Sequence, residues 1–378
     1  MHVSSNSLLA TLPDTLADNS VVCLMAPTAS GKTALAYELY DTGRYELISV
    51  DSALIYRQMN IGTAKPTADE LARYPHHLVD IIEPTQSYSV AEFVQDVAVL
   101  IAQCHSRHKI PLLVGGTMMY YMALLDGLSP VPDSDEGVRA KVEQWRQDEG
   151  IHALYDYLGQ VDALTHQRLR ATDTQRITRA IEVYLQTNIA ISEWQAKPKQ
   201  ALAHNPNQHW HALTVMPERA WLHQRIAQRL DIMWQEGLVD EVIHLLAHYP
   251  LTPDMASMRC VGYRQVLEYL VHIEHPVFEH AHLDKAPFYS AFAQSQAADD
   301  SHLMQSPQNS PASALDCKAM EASAALACHQ MQNKALYATR QLAKRQYTWL
   351  RKIATLPNSP SIKYHSFSSM AQARDYLF

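Results

Sequence analysis

Val21-Val-Cys-Leu-Met-Ala-Pro-Thr-Ala-Ser-Gly-Lys-Thr33 decides how the rest of this chain is read. Val21 to Met25 is an apolar run of strand length, a glycine-containing turn follows, and Lys32 to Tyr40 has the pattern of a helix. Strand, glycine loop and helix in that order make an α/β unit, and a loop ending Gly-Lys-Thr there is a phosphate-binding loop. Backbone N–H groups of such a loop point inward and the helix N-terminus adds its dipole, so a diphosphate is held with few cationic side chains. Ala26, Pro27, Thr28, Ala29, Ser30, Gly31, Lys32 and Thr33 are therefore the candidate diphosphate-binding residues. Lys32 is expected to neutralise the terminal phosphate and Thr33 to ligate Mg²⁺. Ala26 stands where the pattern usually has its first glycine, and a methyl is tolerated there provided φ is negative.

The same grammar repeats along the chain. Glu46 to Val50 ends on Asp51-Ser52, Val79 to Ile82 is another apolar run, and Ile110 to Val114 runs into Gly115-Gly116-Thr117, with a helix-periodic Ser89 to His105 between them. Parallel strands with crossover helices bind ligands outside their carboxyl ends, where the Ala26–Thr33 loop, Asp51-Ser52 and Gly116-Thr117 converge. After Pro130-Val131-Pro132 the pattern becomes polar helices, over 135–149, 152–158, 161–169 and 173–186, predicting a helical insert at 135–206. A loop at 198–208, a returning strand at Trp210 to Val215 and two helices across Glu218 to Tyr249 complete the core. The expected organisation is a flexible tail at 1–19, core at 20–134, 207–274 and 334–378, and a low-complexity, protruding or disordered insertion at 275–333.

Bulk properties bound the function. At 378 residues the chain has room for one large core and a smaller second domain. Its apolar stretches are broken by charge well short of the ~18 residues of a membrane span, and Met1 to Ser20 lacks the form of a secretory signal. A soluble protein without a membrane partner is expected. Five cysteines with no C-x-x-C pair argue against a zinc knuckle or a disulfide framework and fit a reducing cytoplasm. Paired histidines such as His76-His77 and His280-His282 are too close together for facing metal ligands. A net charge of −8 ordinarily counts against a nucleic-acid partner, yet Lys334 to Lys352 holds six basic residues and no acid. That stretch has helical spacing, with Leu342 and Trp349 on its expected apolar face, and is read as partly solvated surface outside the site.

A phosphate loop alone says polyphosphate. Phosphoryl-transfer enzymes of this class carry a later strand ending in an Asp that orders Mg²⁺, whereas Pro111-Leu-Leu-Val-Gly-Gly-Thr117 ends without an acid. Asp51, the acid at a strand end, can act as a general base toward a nucleophile within hydrogen-bond reach, or serve as an N-cap or a Mg²⁺ ligand through water.

Seven motifs then stand in one order: Ala26 to Thr33, Asp51 to Tyr56, Ile61 to Pro66, Gly115 to Tyr120, Asp173 to Glu182, Arg259 to Arg264 and Thr339 to Gln346. From Val21 to Arg351 the sequence resembles the bacterial tRNA dimethylallyltransferases, interrupted by a longer Glu279–Gln332 connection. The resemblance implies a parallel P-loop sheet with an inserted all-helical domain. It also implies transfer of a prenyl group from dimethylallyl diphosphate to the adenosine 3′ of the anticodon. Asp51 would take the N6 proton, with Lys32, Thr33, Mg²⁺ and Arg225 stabilising the departing diphosphate. Thr117 and Arg139 would contact the target nucleotide or its neighbours, and His76 matches a family position. Asp51, Ser52, Ala53 and Leu54, Gln175, Arg176, Ile177, Thr178 and Arg179, and Arg259, Cys260, Val261, Gly262, Tyr263 and Arg264 would line the surface for the tRNA anticodon stem-loop. A monomer is expected. Arg176 and Arg179 could instead pair with neighbouring acids such as Glu182. A nucleotide kinase or ATPase, a prenyltransferase acting on free adenine nucleotides, and a non-catalytic RNA-binding protein are the rival readings.

Overall fold

In this computed structural model, which describes residues 16–293, 315–357 and 359–378, one sheet organises the larger unit. Its six strands are β1 Ser20–Met25, β2 Tyr45–Val50, β3 His76–His77, β4 Ile110–Gly115, β5 His209–Val215 and β6 Ile362–Phe367, in the order β3-β2-β4-β1-β5-β6 and all parallel. Every residue of β1 and of β4 is buried, as strands covered on both faces by crossover helices must be, which is why they read as unbroken apolar runs. Register sets the working edge. Met25 and Val50 both stand opposite Gly115, so the loops leaving β1, β2 and β4 emerge side by side. Gly115 is obligatory here because a Cβ would lie 2.0 Å from the Val50 carbonyl oxygen.

The predicted helices over 32–40 and 89–105 form as Lys32–Asp41 and Val90–Ser106, the latter started by a Ser89/Glu92 capping box. Glu218 to Tyr249 divides into Arg219–Gln235 and Leu238–His248 at Gly237, whose φ of 94° ends one helix and starts the next. Val79 to Ile82 departs from its expected strand. Leu78 and Asp80 take left-handed φ values of 63° and 54°, and Ile82 makes a single bridge to Tyr56, leaving the two-residue β3 on the sheet. Strand β6 and the terminal helix Met370–Leu377 carried no sequence prediction.

The expected protruding segment is largely structural where it is described. Leu283, Phe288 and Phe292 join the core cluster formed by the Arg219–Gln235, Leu238–His248 and Tyr263–His272 helices, because three large apolar side chains in a polar-looking stretch have a core to fill. A helix runs from Leu315 to Ala354, well before the basic stretch at which it was expected to begin, and Ala327 and Met331 are buried on it. Residues 294–314, the middle of the proposed insertion, and most of the 1–19 tail lie outside the described residues. On the basic stretch, the buried face carries Ala343, Gln346, Tyr347 and Leu350 rather than Trp349, which is exposed.

The second unit is Met122–Asn205, beginning somewhat earlier than the expected 135–206 insert. Its helices are Glu136–Val161, broken at Gly150, then Ala163–Arg168, Thr174–Thr187 and Ile191–Ala196. Val142, Leu154, Leu158, Ile177, Ile181 and Val183 form its core. Buried Asp162 fixes the turn by accepting from the Thr165 amide and hydroxyl and from the Ser192 amide.

Because Phe288 is completely buried against Phe278, Phe288→Ala should destabilise the protein by about 3–5 kcal/mol through lost burial and a residual cavity. Urea unfolding measures it. A surface ornament would tolerate the change with an unaltered midpoint.

Candidate active site

The phosphate loop crosses from buried Met25 to the Lys32–Asp41 helix with two left-handed residues, Ala29 at φ 61° and Gly31 at φ 89°. Ala26 is fully buried and has no positive φ, so its methyl meets the condition for replacing glycine. Gly31 is the N-cap of the helix, leaving the first-turn N–H groups to face a ligand. Thr33 is exposed at that turn, and its hydroxyl makes no hydrogen bond to another described residue. The Ser30 hydroxyl is buried and equally unpartnered.

Lys32 is half-buried, with its ammonium 3.4 Å from the Pro27 carbonyl oxygen. Burial pulls it down to about 8, against the upward pull of the Asp51 charge, and the nearby Arg229 guanidinium lowers it further. Arg229 is itself held below the ordinary guanidinium range by burial, opposed by Asp51, with Arg225 adding to the lowering. Two half-buried cations thus share the neighbourhood of one carboxylate. Arg225, one turn earlier on the Arg219–Gln235 helix, is exposed and lies 5.6 Å from the Trp221 ring centre. Sequence reading selected Arg225 and missed Arg229. The signal was there, since residues four apart share a helix face.

Asp51 directly follows β2. Its Oδ1 accepts from the Ala53 amide at 2.9 Å and the Leu54 amide at 3.4 Å, the turn-capping role expected of a structural Asp. Its Oδ2 has no hydrogen-bond partner among the described residues. Thr117 Oγ1 accepts from the Ser52 amide at 3.0 Å and lies 3.3 Å from the Ser52 hydroxyl, while the Thr117 amide donates to the Val50 carbonyl at 3.1 Å. These bonds join the β2 and β4 loops. The P-loop is tied in by Gln346, from a stretch that sequence reading had placed outside the site. Its Oε1 accepts from the Thr28 amide at 3.0 Å and its Nε2 donates to the Gly116 carbonyl at 2.9 Å. A Cβ on Gly116 would stand 2.6 Å from that Nε2.

The predicted RNA-facing residues divide. Ser52, Ala53, Leu54, Arg259, Cys260, Val261 and Arg264 are at least partly accessible, but Tyr263 is buried and cannot reach RNA through its side chain. In the helical unit Arg139, Gln175 and Arg176 are exposed, whereas Ile177 belongs to the core. Arg176 pairs with Asp173 at 2.5 Å. Arg179 donates to the Pro132 carbonyl and, at 2.7 Å, to the Ser134 hydroxyl, and lies 3.5 Å from Glu182, the internal pairing anticipated as its alternative role.

Among the described residues, Glu46, His77 and Cys104 have ligand-type atoms within 4.8 Å of one another. The group sits at the start of β2, away from the working edge, and Arg107 already neutralises Glu46 through bonds of 2.6 and 2.8 Å. That bidentate pair, with help from His77, holds the Glu46 carboxyl down to about 2, and burial keeps the Cys104 thiol protonated, so the group is a structural ion pair.

Residues 54–353 match the family profile described as IPP transferase. The chain belongs to the IPP transferase family. It is 68% identical to a tRNA dimethylallyltransferase of Psychrobacter cryohalolentis over all of this chain and 98% of that one. It is 43% identical to one of Acinetobacter baumannii, over 94% and 96%. A tRNA isopentenylpyrophosphate transferase from Bacillus halodurans aligns with TM-score 0.53 at 26% identity over 94% of this chain and 93% of that one. A eukaryotic dimethylallyltransferase acting on tRNA shares the fold, with TM-score 0.63 at 19% identity over 94% and 75%. The family match makes this a prenyl-transferring enzyme.

Two measurements test the transferase site. Gln346→Met keeps the side-chain volume but orphans the Thr28 amide, and a lost bond of about 1–3 kcal/mol should weaken dimethylallyl diphosphate binding tenfold or more while the tRNA KM changes little. Lys32 sets a pH dependence. Its ammonium is charged below about pH 8 in the free protein, and an anionic ligand favours the charged form, so affinity is constant below 8 and falls above it. Calorimetry in buffers of different ionisation heat should show proton uptake near pH 8 that Lys32→Met abolishes.

Proposed function

We propose that this enzyme transfers the dimethylallyl group from dimethylallyl diphosphate to N6 of the adenosine at tRNA position 37, 3′ of the anticodon, and releases diphosphate. The observation that carries the reading is Asp51. A carboxylate with one unengaged oxygen stands at the same sheet edge as a diphosphate loop, and β4 ends in Gly115 and continues into Gly116 and Thr117 without the acid that phosphoryl transfer uses. N6 attacks the allylic carbon, the carbon–oxygen bond to diphosphate breaks, and the N6 proton passes to Asp51. Charge grows on the leaving diphosphate, where the loop N–H groups, Lys32, Arg229 and Arg225 supply donors already in position. Thr117 orients the segment after Asp51 through Ser52, and in this reading it contacts the incoming nucleotide.

Mg²⁺ fits the exposed Thr33 hydroxyl, an oxygen ligand of the kind it takes, and when bound it would add positive charge at the departing diphosphate. The anticodon stem-loop is the proposed RNA partner, because the adenosine must leave its stack to reach a donor held at the sheet edge. Arg259, Cys260, Val261 and Arg264, together with Gln175, Arg176, Thr178 and Arg139, are its proposed contacts. The reading includes a monomer acting in the cytoplasm. No described helix is long and apolar enough to cross a membrane.

The test is nucleoside mass spectrometry after incubation with unmodified tRNA, Mg²⁺ and dimethylallyl diphosphate. Asp51→Asn is the informative variant, because an amide oxygen still caps Ala53 and Leu54 while the base is gone. The expected loss in kcat is about 10²–10⁴-fold with the fold intact. Arg229→Met should cost about 10²–10³-fold. No adduct from the unaltered enzyme, together with ATP turnover, would replace this reading with phosphoryl transfer.

A further inference from the structure

Glu241, on the Leu238–His248 helix, has no place in the site described above, yet its carboxylate accepts four hydrogen bonds from two separate stretches of chain. Oε2 accepts from the amides of Asn60 and Ile61 at 2.8 and 2.7 Å. Oε1 accepts from the Gly62 amide at 3.2 Å and from the Tyr263 hydroxyl at 2.6 Å. The first three donors lie on the segment that leaves Asp51 and runs to Pro66. The fourth opens the Tyr263–His272 helix directly after Arg259 to Gly262. Both stretches close on the carboxylate. A Cβ at Gly62 would lie 2.5 Å from the Tyr263 ring, so the backbone passes this site only as glycine. Burial and the Glu241 charge push the Tyr263 phenol well above its ordinary value, which keeps it a donor.

Three consecutive backbone amides aimed at one point form an anion nest, and Glu241 is its resident anion. The same segment is secured further on by Lys65, whose buried ammonium bonds the Tyr56 carbonyl at 2.6 Å and Asp80. Asp51 to Pro66 is therefore pinned along its length, and Glu241 is the pin that also holds the Arg259–Arg264 turn.

We propose that Glu241 is a positioning residue for RNA recognition, fixing the Arg259–Arg264 turn relative to the segment that begins at Asp51. The inference rests on the reading that this turn meets tRNA. A carboxylate satisfies all four donors, whereas the amide of Glu241→Gln turns an N–H₂ group toward N–H donors and leaves part of the nest unpaired.

The experiment compares Glu241→Gln, Tyr263→Phe and the double variant Arg259→Ala/Arg264→Ala in steady-state assays with tRNA and dimethylallyl diphosphate, alongside urea unfolding. Glu241→Gln should raise the tRNA KM about tenfold and leave the dimethylallyl diphosphate KM within about twofold, because an unsatisfied, partly buried donor is worth about one such factor. Tyr263→Phe, which removes one of the four bonds and preserves the ring packed on Gly62, should shift the tRNA KM in the same direction by a smaller factor. A lowered unfolding midpoint with unchanged kinetics, or equal shifts in both KM values, would overturn the proposal. If the double arginine variant leaves the tRNA KM unchanged, the RNA-facing reading of the turn fails first. If that variant raises it and Glu241→Gln does not, only the role given to Glu241 fails.

Discussion

The close approach of β2 to β4 at their carboxyl ends is the constraint on which this site depends. Val50 and Met25 are in register with Gly115, and the Val50 carbonyl occupies the space a side chain at 115 would need. The Thr117 amide can then donate to Val50, and the Thr117 hydroxyl can accept from Ser52. Both bonds would lengthen if the strands moved apart by the width of a methyl group. Two loops distant in sequence thereby become one surface. Gln346 adds the P-loop to it through two bonds that bridge the loops of the neighbouring strands β1 and β4.

That surface is built for an anion, and it carries the cost of being so. Ala29 holds a left-handed backbone that a side chain disfavours by about 1–3 kcal/mol. The Ser30 hydroxyl is buried without a partner, and two cations are held in partial burial in the neighbourhood of one carboxylate. Each feature opposes folding of the free protein, and the hydroxyl and the two cations are relieved by a ligand with negative charge and several acceptor oxygens.

What was legible in the sequence was local. The P-loop, the Asp51 turn and the Gly116-Thr117 loop each announce themselves within eight residues, and topology alone brings them together. Partners chosen by tertiary packing were not legible. Gln346 sits amid basic residues on a helix that looked like solvated surface, and nothing near it in sequence names Thr28 or Gly116 as its partners. Arg229 was hidden behind Arg225, whose pattern match drew the assignment although the two share a face. Val79 to Ile82 has the composition of a strand and loses it to two left-handed residues, which composition does not encode. Ile177 and Tyr263 lie inside motifs that carry function, and motif membership said nothing of which side chains point inward. In the 275–333 stretch, abundant Ala, Ser and Gln masked three phenylalanines that the core uses or neighbours.

Asp51 shows why structural and catalytic readings of one residue need not compete. Capping the Ala53–Leu54 turn uses a single oxygen, and a carboxylate has two. The capping bonds fix the side-chain torsion, so the second oxygen is aimed without a further hydrogen bond being spent on it. A base needs that combination of fixed direction and an open lone pair. Glu241 uses the same property in the opposite way, filling both oxygens to make a junction with no freedom left. Two carboxylates of identical chemistry are thus separated in role by how many of their acceptor positions the backbone has already taken.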